Sequence, residues 1–172
     1  GVINKINSDI LDILDIDELY FKVRNVIQEK MGIEISSFYV SSDLGIIKSN
    51  NNHFSKYCGY NISDKQLVEI NNIISVHKFT LSTKYNEINQ NFKNVLGKIN
   101  SKGFVPFIYN NKKMGFITLK SRPNKKNYFY YEDMEVFDDL VIKVGIALER
   151  VRLHLQFMKE KELALISLAG SI

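Results

Sequence analysis

The chain has 172 residues, 45% of them apolar, and a net charge of +4 from 23 basic and 19 acidic side chains. That length suits one domain with flanking helices and is too short for two full domains, and the apolar content excludes a disordered chain. The mild, interspersed charge argues against a nucleic-acid reader, because the densest basic stretch, Lys120 to Lys126 with Arg122 and Lys125 inside it, falls in a polar loop without base-reading side chains.

No run of about 18 apolar residues is present to span a bilayer, and no signal peptide opens the chain, so no membrane contact by this chain is expected. Cys58 is the only cysteine. It excludes an internal disulfide framework and fits a reducing, cytoplasmic compartment. The chain starts at Gly1, so it is expected to be a piece of a longer protein.

Residues 3–14 read as a short linker helix, with Ile3, Ile6, Ile10 and Ile13 spaced by three and four. Asp15 followed by Glu18 resembles a capping box and predicts a second helix running to Met31. Leu19, Val23, Val26 and Ile27 form its apolar face, and Gly32 stops it. Ile33 to Val40 predicts a strand, Ser41 to Gly45 a turn, Gly45 to Ser49 a second short strand, and Asn50 to Asn52 a loop. A helix is predicted from Ser63, capped by Ser63 or Asp64, with Leu67, Ile70, Ile73 and Ile74 on one face. Phe79 to Ser82 predicts a short strand and Asn86 to Ile99 a weaker helix.

Residues 102–121 give the clearest local signal. Phe104 to Tyr109 and Met114 to Leu119 predict two strands joined by the polar stretch Asn110 to Lys113. A turn centred on Asn111 and Lys112 sets Tyr109 opposite Met114, Phe107 opposite Phe116 and Val105 opposite Thr118. Both faces of this hairpin are largely apolar, which predicts a sheet covered on both sides. Pro106 lacks a ladder donor and points to an edge or a bulge.

After a polar loop over 121–130, Glu132 and Asp133 favour the start of the longest helix. A heptad runs through Phe137, Val144, Val151, Met158, Leu165 and Ile172 at one position. The other position holds Val141, Leu148, Leu155, Glu162 and Ala169, and only Glu162 breaks the seam. An unbroken helix from Phe137 to Ile172 would reach about 54 Å, more than a small domain's width. A parallel coiled coil with a second copy is the economical cover for it, giving a homodimer. The rival is two shorter helices bent near Lys159 to Lys161.

From Phe104 onwards the chain resembles a GAF domain. The resemblance rests on Val105-Pro-Phe-Ile-Tyr109, Met114-Gly-Phe-Ile-Thr-Leu119, Phe129-Tyr-Tyr-Glu-Asp133 and the apolar helix from Val136 to Leu153. Leu14 to Leu19 looks like that family's first helix start. The resemblance covers roughly residues 14–157 and is poor over 50–100. Glu162 to Ile172 looks like the lead-in to the dimerisation helix of a sensor histidine kinase, ending before its phosphoacceptor histidine. It implies an α+β fold, with a central antiparallel sheet flanked by helices and long terminal signalling helices. The expected parts are a linker helix over 1–14, a sensor domain over 15–157 and the start of a coiled coil over 158–172.

The residues offer no catalytic set. No GxGxxG or GxxxxGK[ST] stretch can be written. His53, His77 and His154 lack metal-ligand spacing, so no metal is expected. Asp138 and Asp139 read as a solvated helix face. Cys58 lacks the histidine partner of bilin-binding GAF domains and reads as an ordinary thiol. The NKxF motif of cyclic-nucleotide-binding relatives is absent, and no cofactor is named.

The resemblance implies that a ligand would sit between the sheet and the variable loops. Phe107, Tyr109, Phe116 and Thr118 are expected on one hairpin face, with Phe38, Tyr60, Phe79 and Tyr85 nearby. Such walls suit a small, mostly apolar molecule, and they suit equally a filled core without a cavity. The dimer seam is expected at Phe137, Val141, Val144, Leu148, Val151, Leu155, Met158 and Leu165. The resemblance implies the input domain of a bacterial two-component kinase. A ligand-free relay module and the sensor of a transcription activator stay open beside it.

Overall fold

In a computed structural model, the structure describes residue 10 and residues 12–48, 51–76, 81–82, 90–99, 101–120 and 131–170. Helix α1 (Ile16–Arg24) starts where predicted. The Asp15 carboxylate accepts from the backbone N–H of Asp17 at 2.9 Å and of Glu18 at 3.1 Å, satisfying two donors of the first turn. The helix winds on through a π-helical turn, Asn25–Lys30, and the chain leaves it at Gly32 with φ 69°. Leu19, Val23, Val26 and Ile27 are buried, as the periodicity predicts.

Strand β1 (Ile35–Ser41) is buried along its whole length, the signature of a strand covered on both faces. A 3-10 turn, Ser42–Leu44, follows and closes on Gly45. The short strand expected over Gly45 to Ser49 is absent from residues 45–48; strand β2 is instead Phe54–Gly59, antiparallel to β1. As an edge strand with its far end exposed, β2 lacks the clean alternation that a sequence pattern needs. Gly59 is at φ 93°, and a Cβ there would fall 2.2 Å from the Ser36 carbonyl oxygen, so only glycine lets the two backbones meet.

Helix α2 (Asp64–Val76) is capped by Ser63. The Ser63 Oγ accepts from the Gln66 N–H at 3.2 Å, and Gln66 Oε1 accepts from the Ser63 N–H at 3.3 Å. Strand β3 (Leu81–Ser82), helix α3 (Gln90–Lys98), strands β4 (Gly103–Tyr109) and β5 (Lys112–Leu119), and helix α4 (Tyr131–Gly170) complete the fold. The sheet has five strands in the order β2-β1-β5-β4-β3, antiparallel throughout. Among the described residues, Pro106 lies past the two residues of β4 that β3 pairs with, and a bulge follows one residue beyond it, between Phe107 and Ile108.

The hairpin register differs from the expected one. Tyr109 pairs with Lys112, Phe107 with Gly115, Pro106 with Phe116 and Phe104 with Thr118. The turn is Asn110 and Asn111, at φ 52° and 63°, the left-handed pair of a two-residue hairpin turn that asparagine tolerates. Moving the turn one residue back slides the partner of Tyr109 by two, from Met114 to Lys112, and the bulge between Phe107 and Ile108 takes one residue back, so beyond it the net slip is one, which turns a side chain to the other face.

Two cores result. One side of the sheet packs Phe38, Val40, Val105, Phe107, Ile117 and Leu119 under α1 and α4; the other packs Tyr39, Phe104 and Phe116 under α2 and α3. Helix α4 is continuous for 40 residues, about 60 Å, with no bend near Lys159. Its first half lies on β4, so closely that a Cβ on Gly145 would fall 2.2 Å from the Ile108 carbonyl oxygen. The expected seam is therefore corrected. Phe137, Val141, Val144, Leu148 and Val151 are buried in the chain's own core, which closes that stretch to a second copy. Leu155, Met158 and Leu165, further along, are exposed. Among the described residues, no helix is long and apolar enough to cross a membrane.

Candidate functional site

The sheet face under α2 and α3 carries a dense set of polar and aromatic groups. Phe116 stands at its centre. Its ring stacks on Tyr39 with centroids 5.2 Å apart, meets Phe54 edge-on at 5.0 Å, and tilts against Phe104 at 5.0 Å. Leu67, Ile70 and Ile74 of α2 and Val95, Leu96 and Ile99 from α3 and its end close over these rings. Tyr39 is tied at its far end. Its hydroxyl accepts from the Ile62 N–H at 2.8 Å and donates to the Tyr60 carbonyl at 3.0 Å. Burial pushes the Tyr39 phenol above its usual range, and the bond from Ile62 pulls it part of the way back.

Beside the rings lies a buried hydroxyl cluster. Ser36 shares hydrogen bonds with Ser101 at 2.7 Å and Thr118 at 2.8 Å, and Ser37 also bonds Thr118. Ser101 donates as well to the Ile99 carbonyl at 3.2 Å. A bulge in the β1–β5 pairing between Ile35 and Ser37 puts two adjacent serines within reach of one threonine. These hydroxyls satisfy one another, which is what buried polar groups require.

The residues expected to form one ligand wall do not share a wall. Phe38 and Phe107 are on the α1/α4 side, 5.9 Å apart between ring centroids, and fully buried. Tyr109 is partly buried against that same core. Phe116 is on the opposite side, and Thr118 belongs to the hydroxyl cluster. Tyr60 is 45% exposed, with the Lys120 ammonium 5.3 Å above its ring. Phe79 and Tyr85 lie outside the described residues. The register slip explains the split, since Phe107 opposite Phe116 was the premise that put them together.

Tyr39, Phe54, Phe104 and the serines were missed. The adjacent polar pair Ser36-Ser37 inside an otherwise apolar strand was the available signal, because buried hydroxyls need partners on a neighbouring strand. Cys58 is a free, partly buried thiol opposite Phe38, on the α1/α4 side. It bonds the Tyr20 hydroxyl; burial first, then that bond, raises the Tyr20 phenol well above its usual range. Among the described residues, no three His, Cys, Asp or Glu side chains gather as metal ligands.

No protein-family model matches the chain, and no curated protein sequence does. Solved structures do resemble it. The far-red-absorbing dark state of JSC1_58120g3, with bound biliverdin IXa, superposes with a TM-score of 0.57 at 10% identity, covering 88% of this chain and 99% of that one. A crystallised domain from Sinorhizobium meliloti 1021, described as belonging to a two-component sensor histidine kinase protein, gives a TM-score of 0.49 at 14% identity, over 83% and 96% of the two chains. The architecture is GAF-like: an antiparallel sheet between helical layers, followed by a long C-terminal helix.

Proposed function

We propose that this GAF-like chain is the input domain of a cytoplasmic two-component sensor histidine kinase, without catalytic groups of its own, and that it relays its signal through a C-terminal helix paired with a second copy. One observation carries the reading. The first half of α4 is fixed to β4, and the same helix runs on past its last buried residue, Val151, with Leu155, Met158 and Leu165 exposed. These continue the stripe that is buried upstream. A rod with an apolar stripe beyond its own domain buries it most simply against its twin. A change felt by the sheet then reaches the paired rods through the rigid contact at Gly145, provided that the signal favours one of two packings.

Sedimentation equilibrium tests the reading. The chain is expected to be dimeric at about 50 µM, and the double variant Leu155→Lys/Leu165→Lys monomeric, with the melting temperature that wild type shows when diluted to monomer. A wild-type chain that stays monomeric at about 500 µM overturns it.

A ligand-free relay module in the same kind of kinase is the second reading, favoured by the filled aromatic face around Phe116. Apolar metabolites that raise the melting temperature by several degrees would decide against it.

A further inference from the structure

A second region of the chain is built differently from the filled aromatic face. At the end of the sheet where β5 begins and α4 leaves the domain, a cleft of about 570 Å³ opens, within the size range of small-molecule sites. The hairpin turn, the loops flanking β1 and β2, helix α2 and helix α4 all contribute to its walls.

Its chemistry is set by Lys113. The side chain is half-buried, and its Nζ donates to the Asn71 carbonyl at 2.8 Å and to Asn71 Oδ1 at 3.0 Å. Both acceptors are neutral. An ammonium has three protons, so these two bonds leave one unused, and Lys113 forms no ion pair with a carboxylate among the described residues. Burial lowers the Lys113 pKa, which marks a charge partly stripped of water without a counter-charge in return. Lys112 lines the cleft beside it, and Arg152 comes from α4.

The acidic groups present do not balance these three cations. Glu149 is already engaged by Arg152, whose Nε donates to its two carboxylate oxygens at 3.1 and 3.0 Å. Asp43, the other acid in the lining, is exposed. A desolvated cation that neutral amides alone hold, in a cleft large enough for a metabolite, is stabilised by an incoming anion.

We infer that this cleft binds a small anionic metabolite, one bearing a carboxylate or phosphate group, with Lys113 as its anchor and Lys112 and Arg152 as the cations that close on it. The position has a mechanical consequence that rests on the sensor reading above. An anion held there bridges the hairpin end to α4 one residue beyond Val151, where the helix leaves the sheet. By competing with Glu149 for Arg152, it would change the charge pairing of α4 at that point.

Isothermal titration of the whole chain at low ionic strength, with inorganic phosphate, succinate and citrate as separate probes, tests the site. At least one is expected to bind saturably with Kd below about 1 mM. Lys113→Gln should weaken it by about tenfold or more, Lys113→Arg should retain most of the affinity, and Lys98→Gln, an exposed charge on α3, should change nothing. Lys112→Gln, at an exposed position, should weaken binding severalfold and guards against a folding defect in the Lys113 variant. Phosphate binding without the carboxylates assigns a phosphate-bearing ligand, and the reverse assigns an organic acid. No saturable binding of any probe up to about 10 mM, or equal affinity in Lys113→Gln, overturns the inference. Binding by a chain that is monomeric in sedimentation supports the site and defeats the relay; a dimer that binds none of the probes does the opposite.

Discussion

The two halves of α4 carry one apolar repeat and meet different surroundings. From Phe137 to Val151 the stripe is buried on β4, and Gly145 lets the helix backbone touch the Ile108 carbonyl. From Leu155 to Leu165 the same stripe continues in the open. A heptad identifies which side of a helix is apolar. It does not identify what covers that side, because a sheet and a second helix both reward a stripe of Val and Leu.

The contrast is easiest to break at the glycines. A Cβ on Gly145 meets the Ile108 backbone, whereas one on Gly170 meets nothing within 4 Å. Gly145→Val is expected to cost about 3 kcal/mol or more and could leave the chain unfolded, while Gly170→Ala changes stability by less than about 1 kcal/mol. Urea melts of both check this, and equal melts would mean that α4 does not rest on β4 as described.

Leucine truncations sharpen the comparison next. Leu148 is fully buried and Leu155 is 43% exposed. Leu148→Ala should lose about 2–5 kcal/mol of domain stability. Leu155→Ala should lose under about 1 kcal/mol in the monomer and instead weaken self-association. A Leu155→Ala melt as damaging as that of Leu148→Ala would show the distal stripe folded onto something in its own chain.

Glu162 interrupts the exposed stripe. Glu162→Leu should tighten dimerisation by about tenfold if that stripe is the seam, with little change in thermal unfolding of the domain. A sedimentation profile indistinguishable from wild type would place the pairing face elsewhere on the helix.

The smallest effect lies where the two halves join. Hydrogen bonds from Arg152 hold the Glu149 carboxyl below its usual range, with burial opposing. A depressed folded pKa contributes stability above the ordinary value of 4.5 that is lost as pH falls through the lowered one. The pair is partly exposed, so screening keeps the term small. Between pH 7 and acid, wild type should lose slightly more stability than Glu149→Gln; parallel acid limbs would remove the pair from the stability of this junction.

Much of the architecture was legible from local chemistry. Asp15 and Ser63 announced two helix starts through side chains that reach their own first turns. The apolar alternation of 104–109 and 114–119 announced a two-sided hairpin. Strand β2 was not legible, since its place is fixed by pairing with β1 and not by a pattern of its own. The ligand wall was misread because its geometry hung on a register that the turn position and the bulge after Phe107 set together.

The sequence by itself determined the helix starts, the hairpin, the two-sided sheet and the apolar stripe of α4, because these depend on residues within one or two turns of each other. Tertiary structure alone decided that Phe107 and Phe116 face opposite layers, that half of the stripe belongs to the core, and that Lys113 stands with Arg152 around one cleft. Those outcomes depend on register and on contacts between elements far apart in the chain, where a shift of one residue reverses a face without altering any local preference.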